Sequence, residues 1–422
     1  MSGSRHAALL VVLTVAACSA TVPRPSATSP SPREPDAARS TSAPASASPR
    51  GTPTPRATAA PTPAASPIDL DIGQIDAAVA GPILEAVSDG SAIWYSAAGP
   101  RDTETTPDLY RYVLADEASE LVWRNPDRAR SLVKIGGHHG TIAFADLDVT
   151  PGVRAWSFWL IPELGFAPFV LDQHPGDADV PGFVPSFHVD NRRVAWTSFD
   201  RGPSGPVSEL WLVEAPTWEP RLLASVDARE RELWFPSLFE NRLAYVEVVY
   251  GAERRSDQRH VMLLDLADPG RAPRRLDTTG LATMPLLHHD GVIWKENDVG
   301  FSMFTWGRLV SYSFATAETT PLSMHPQEFV NYPSRGYRFV AAWGSNASAL
   351  YVHDLERGAS RMVERYADRA DEAVDRPSLV DGLLVWLHFR IDDTGQHPGK
   401  DVRWAFLPVP GSDLRCGGDR CP

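Results

Sequence analysis

Two histidine pairs, His138-His139 and His288-His289, are residues in this 422-residue chain whose types and spacing suggest chemistry. Imidazole nitrogens bind transition metals when a third or fourth ligand joins them. Both pairs stand just before a turn, at the same place in a repeat. Adjacent residues on a strand point to opposite faces, so a pair does not readily supply two ligands to one ion. Polar turn residues are therefore expected, with no metal and no other cofactor. Asp146 and Asp148 in ADLDVTPG, and Asp392 and Asp393 in RIDDTGQHPG, are oxygen donors of the kind calcium takes. Calcium needs about 6–8 such oxygens, which neither segment holds, so solvated loop acids are expected. Glu85, Glu240 and His188 fall on segments expected to be inner strands, where paired carboxylates would suit a glycosidase, but no pairing among them is visible. A Gly-x-Ser-x-Gly elbow, a P-loop, a full EF-hand loop and a Ser-x-Asp-x-Gly-x-x-Trp box are all absent; Ser88-Asp89-Gly90 with Trp94 has a different spacing from the last. No catalytic residue is assigned.

The net charge of −13 is unevenly spread: residues 1–18 carry +1, residues 19–66 carry +3, and residues 67–422 carry −17. Such a body is a poor nucleic-acid binder, because phosphate neutralisation needs clustered Lys and Arg. Three Cys occur: Cys18, Cys416 and Cys421. An exported chain would oxidise the last two, and the four residues between them close a small loop, so a Cys416–Cys421 disulfide is expected.

Export is itself indicated by residues 1–17. Arg5 supplies a short positive region, and Ala7 to Val15 an apolar one far too short to span a bilayer, which takes about 20 residues. The stretch Val15-Ala16-Ala17-Cys18 resembles the lipobox of bacterial lipoprotein signal peptides. The resemblance implies cleavage before Cys18, diacylglycerol on its thiol and a membrane anchor on the extracytoplasmic face. Residues 18–66 are rich in Pro, Ser, Thr and Ala, with eleven Pro between residues 19 and 66. That composition buries no core and leaves an extended, disordered linker.

From residue 67 to 422 a repeat takes over. An aromatic recurs as Trp94, Phe144, Trp196, Tyr245, Trp294, Trp343 and Trp386, at steps of 50, 52, 49, 49, 49 and 43 residues. Pro185, Pro236, Pro285, Pro333 and Pro377 open the strand before most of these markers, and Asp-Gly turns at Asp89, Asp290 and Asp381 come between that strand and the marker. Alternation in segments such as Val194-Trp196-Ser198 indicates strands. Units of roughly 40–50 residues with four strands are propeller blades. The expectation is an all-β chain, a β-propeller of seven four-stranded blades, with six as the alternative. Ile68 to Ile75 is left over and would close the ring as the outer strand of the last blade, removing an open edge.

Asp290-Gly291-Val292-Ile293-Trp294, Glu209-Leu210-Trp211-Leu212-Val213 and Arg221-Leu222-Leu223 resemble the blades of TolB-like propellers. They are more loosely similar to the propellers of prolyl-oligopeptidase-type peptidases. The Ser-Pro-Asp-Gly turn of those blades is nowhere complete, and no hydrolase domain follows, so peptidase activity is not implied. The marker aromatics are expected between blades. Ligand contacts are expected just before the innermost strands, at Phe183, Trp234, Phe235, Met284, Tyr332 and Arg376. Aromatics with one cation would suit a peptide or sugar. The partner expected is a protein or a cell-wall glycan, bound by a monomer acting as a binding or scaffold lipoprotein; a propeller glycosidase or lyase and a purely structural envelope protein are the alternatives.

Overall fold

The computed structural model describes residues 70–75, 83–97, 107–127, 129–148, 150, 154–176, 180, 182–251, 257–297, 307–322, 330–336, 338–344, 349–365, 372–390 and 400–408. Cys18, Cys416, Cys421, Asp392, Asp393 and the leader and linker lie outside these residues. Among those described, 28 strands form seven antiparallel sheets of four.

Blade 1 holds β2 (Ile83–Ser88), β3 (Ile93–Ala97), β4 (Asp108–Val113) and β5 (Ala118–Trp123). Blade 2 holds β6 (Arg130–His138), β7 (Thr141–Asp148), β8 (Trp156–Ile161) and β9 (Phe169–His174). Blade 3 holds β10 (Ser186–Asp190), β11 (Arg193–Gly202), β12 (Gly205–Glu214) and β13 (Arg221–Asp227). Blade 4 holds β14 (Arg231–Phe239), β15 (Arg242–Val249), β16 (Gln258–Asp265) and β17 (Arg274–Arg275). Blade 5 holds β18 (Ala282–His288), β19 (Gly291–Glu296), β20 (Arg308–Ser313) and β21 (Thr319–Leu322). Blade 6 holds β22 (Val330–Gly336), β23 (Phe339–Gly344), β24 (Ala349–Asp354) and β25 (Ala359–Arg365). Blade 7 holds β26 (Glu372–Val380), β27 (Leu383–Arg390) and β28 (Lys400–Phe406), and its fourth strand is β1 (Gly73–Ile75).

The seven-bladed expectation therefore stands, and so does closure by the N-terminal strand. Gly73, Gln74 and Ile75 pair with Trp404, Arg403 and Val402. The pairing needs glycine at its first position, because a Cβ on Gly73 would fall 2.1 Å from the Trp404 ring. Ile75 seals the joint against Ile83, Tyr95 and Val402, residues of blades 1 and 7.

The first strand of each blade lies innermost, and successive inner strands touch around the ring, with β2 meeting both β6 and β26. Their inward edges carry backbone N–H groups that no fifth strand satisfies, and a buried unpaired donor is costly. Side chains of the preceding blade accept these hydrogens. Ser378 Oγ accepts from Ser88 N at 3.0 Å, Ser186 Oγ from Phe235 N at 2.9 Å, and Ser237 Oγ from Leu287 N at 2.9 Å. Ser334 Oγ takes Leu379 N at 2.9 Å, and His188 Nδ1 takes Leu238 N at 3.2 Å.

The marker aromatics pack between blades. Trp94 lies with Ile135 and Phe144 of blade 2, Trp196 with Ala143 and Phe158 of blade 2, and Trp386 with Ala341 and Val352 of blade 6. Two of their indoles also reach back one blade, Trp196 to Asp172 at 2.9 Å and Trp386 to Glu364 at 2.6 Å. Trp343 is only partly buried and stacks on Tyr332.

Candidate functional site

Inner strands β14, β18, β22 and β26 each carry an irregularity in register, at Trp234/Ser237, Thr283/Leu286, Asn331/Ser334 and Asp375/Ser378. At each irregularity a residue with positive φ precedes a proline: Phe235 (49°), Met284 (51°), Tyr332 (43°) and Arg376 (23°). Proline lacks the N–H that a ladder would use, and a bulge re-aims the side chain beside it. These four side chains are thereby turned into the central channel, whose volume is about 1340 Å³. The sequence placed them just before the inner strands. They lie inside those strands, which begin two to four residues earlier.

One lining residue per inner strand makes a ring of two characters, and Asp190, Arg193 and Arg335 line the channel elsewhere. Blades 7, 1 and 2 present Arg376, Glu85 and Lys134. Blades 3 to 6 present Phe187, Phe235, Met284 and Tyr332. Arg376 Nη1 lies 3.4 Å from Glu85 Oε2 and Nε 3.7 Å from Asp375 Oδ1, with the guanidinium 5.1 Å over the Tyr332 ring. Lys400 Nζ donates to Asp375 Oδ2 at 3.0 Å. Lys134 Nζ donates to the Pro185 carbonyl at 3.1 Å and lies 4.9 Å from the centre of the Phe187 ring.

Burial dominates the electrostatics here. It pushes the Glu85 carboxyl above the usual carboxylate range, with Arg376 opposing it. It pulls the Lys134 amine down to about 8, with Glu85 opposing and Arg376 reinforcing. Glu85 in turn holds Arg376 more firmly protonated than usual. Burial also raises Tyr332. A poised amine, a carboxyl and a guanidinium beside one channel form a perturbed cluster of the kind that marks functional sites.

Of the other residues singled out in the sequence, Trp234 is displaced from the mouth. Its neighbour Phe235 faces the channel, and adjacent strand residues face apart. Trp234 is 7% exposed, packs with Val180, Phe199 and Val246, and donates its indole N–H to Glu232 Oε2 at 2.9 Å. Phe183 stands 5.5 Å from Trp234 and 5.7 Å from Phe199 between ring centres and belongs to this second cluster. Glu240 is an exposed turn residue rather than an inner-strand one. His188 is on β10 as expected, but its Nδ1 is committed to Leu238, and burial lowers its pKa to about 4. Asp146 is no solvated loop acid: it is 1% exposed in β7 and accepts from Arg130, Ser157 N and the Trp159 indole.

The histidine pairs depart from expectation in one respect. His139 has φ of 47° in the turn, so its ring comes round beside that of His138, with centres 4.3 Å apart. Asp381 completes a trio whose ligand atoms lie within 4.8 Å of one another. The imidazoles are nevertheless engaged. His138 Nδ1 accepts from Asn191 N at 3.1 Å, which places the neutral ring's proton on Nε2, and His139 Nε2 is 3.2 Å from Asp381 Oδ2. A metal would have to displace both contacts. The neighbouring Gly90 has φ of 93°, and a Cβ there would meet Asp381 Oδ2 at 3.1 Å.

Lys134 and Phe187 escaped the sequence reading. One signal was available for the first: the chain has three lysines, Lys134, Lys295 and Lys400, among 40 basic residues. An amine stands at this mouth in a chain that otherwise relies on arginine, and only an amine can be tuned toward neutrality.

This arrangement defines the class of the fold, a closed seven-bladed β-propeller. No family model matches the chain, and no curated protein matches it. Solved structures match its fold. The β-propeller domain of the Trilobed protease from Pyrococcus furiosus aligns with a TM-score of 0.53 at 10% identity, over 75% of this chain and 93% of that one. That domain is described as having an open velcro topology, whereas β1 joins β28 here. Uncomplexed Pyrococcus horikoshii acylaminoacyl peptidase aligns at 0.51 and 10% identity over 76% of this chain, which spans about half (51%) of the peptidase. An oligogalacturonate lyase in complex with manganese aligns at 0.50 and 14% identity, over 82% and 98% of the two chains. At these identities the likeness is one of fold.

Proposed function

We propose that the protein is a lipid-anchored, extracytoplasmic binding protein that takes a protein or cell-envelope ligand at the mouth of its propeller channel. The anchor rests on the lipobox-like Val15-Ala16-Ala17-Cys18 and the linker after it, and the blades are TolB-like in pattern. The binding role rests on one observation above all. Seven inner strands bring a charged arc and an apolar arc together around one channel of about 1340 Å³.

The test has two parts. Cys18→Ala should move the protein from the membrane to the soluble fraction. The anchored protein, cross-linked in intact envelope, should recover a partner that a variant altered at Phe235, Met284 and Tyr332 does not. Equal recovery by both would sink the channel-mouth reading.

A second reading is favoured by Lys134. A channel-lining amine lowered to about 8, in the field of the Arg376 guanidinium, can serve as a general base, as in an elimination reaction on an acidic sugar. The alternative predicts multiple turnover of uronate oligomers, lost in Lys134→Met.

A further inference from the structure

Building on the binding role proposed above, we propose that the ligand ends in a carboxylate with an apolar or aromatic group next to it. The carboxylate lies against Lys134 and Arg376, and the apolar group against Phe187, Phe235, Met284 and Tyr332. The first argument is charge balance. Lys134 and Arg376 face Glu85 at this mouth, an excess of one positive charge in a body of −17 over residues 67–422, while Lys400 and Asp375 behind them neutralise each other at 3.0 Å. The second is an underused cation. The Arg376–Glu85 contact of 3.4 Å is longer than the ~2.7–2.9 Å of a good charge-assisted bond, and the Arg376 side chain is 45% exposed. A planar carboxylate fits such a fork. A dianion fits less well, because Glu85 stands between the two cations in ring order. The apolar arc then explains why four successive blades present aromatic and thioether side chains to the channel.

The probes are N-acetyl-phenylalanyl-leucine as the free acid, the same peptide as its amide, and octanoate, titrated calorimetrically into the full-length protein. The acid should bind about tenfold or more tightly than the amide, the worth of one charge-assisted hydrogen bond. Glu85→Gln should tighten binding of the acid, because it removes the competing anion and frees Arg376. Lys134→Met should weaken it about tenfold. Lys134 is faced by Glu85 from β2, by Arg376 from β26, and by the Pro185 carbonyl and Phe187 on the β10 side. Affinity for the acid should therefore fall as pH rises through about 8, and that fall should vanish in Lys134→Met. Octanoate binding as well as the peptide acid identifies a free apolar acid as the natural ligand; preference for the peptide identifies a chain terminus. Equal binding of acid and amide, or weaker binding after Glu85→Gln, overturns the proposal. An envelope partner still recovered by Lys134→Met, and not displaced by the peptide acid, would overturn the carboxylate while leaving the binding role intact.

Discussion

Replacing Lys134 by methionine should stabilise the protein even as it weakens ligand binding. Methionine keeps the length of the side chain and removes its charge. Burial lowers the amine from 10.5 to about 8. At roughly 1.36 kcal/mol per unit, holding the ammonium in place costs ~3 kcal/mol near neutral pH. The substitution also leaves the Pro185 carbonyl without its donor, which costs ~1 kcal/mol, and gives up the cation over Phe187, another ~0.5–1 kcal/mol. The expected net gain is ~1–2 kcal/mol at about pH 7. The sign with pH follows from the depressed value. The cost is full below the folded pKa of about 8 and fades as pH rises toward the ~10.4 of the unfolded chain. At about pH 9.5 the ammonium costs only ~1 kcal/mol, so the advantage of the variant should disappear. Urea denaturation of both proteins at the two pH values measures this directly. A variant destabilised near neutrality, or a gain unchanged at the higher pH, would refute the reasoning. A site kept at a cost to stability is one retained for function.

Three further outcomes follow from the fold. Trp196→Ala should cost ~3–5 kcal/mol, since it opens the space between blades 2 and 3 and leaves the half-buried Asp172 without its indole donor; calorimetric melting checks it. Ser378→Ala should cost ~1–3 kcal/mol by orphaning the Ser88 amide, and hydrogen exchange should quicken in β2 more than elsewhere. His188 has its pKa depressed to about 4, so the folded state resists its protonation and stability should fall as pH drops from ~6.5 toward 4. His188→Gln, which keeps an acceptor for Leu238 N, should remove ~2–3 kcal/mol of that acid sensitivity in denaturation at about pH 4.

The blades were legible because an aromatic between neighbouring sheets leaves a mark at a fixed period, from Trp94 to Trp386. Closure by Gly73–Ile75 was legible by subtraction, since the last unit lacked a fourth strand. The mouth was legible only in part. Phe235, Met284, Tyr332 and Arg376 were found because a proline follows each one. What turns them inward is a positive φ in a bulge, which no composition or period reveals. Trp234 was misassigned by adjacency: one residue of offset on a strand exchanges channel for core. His138 and His139 erred in the opposite direction, because a turn rather than a strand sets their relative orientation. Lys134 lies at a register irregularity of β6 that no proline marks, and Phe187 follows Pro185 in a β10 of regular register, so neither carries the combined bulge-and-proline signal of the later blades.

The most direct test of ligand capture at the channel mouth is site-specific photo-crosslinking in intact cells. A photoreactive residue would be incorporated in place of Met284, which lines the channel, and separately in place of Leu222, which is 45% exposed on the outer strand β13. The account predicts a discrete adduct from position 284 and none from 222. An adduct from 222 alone, or the same products from both, would contradict it.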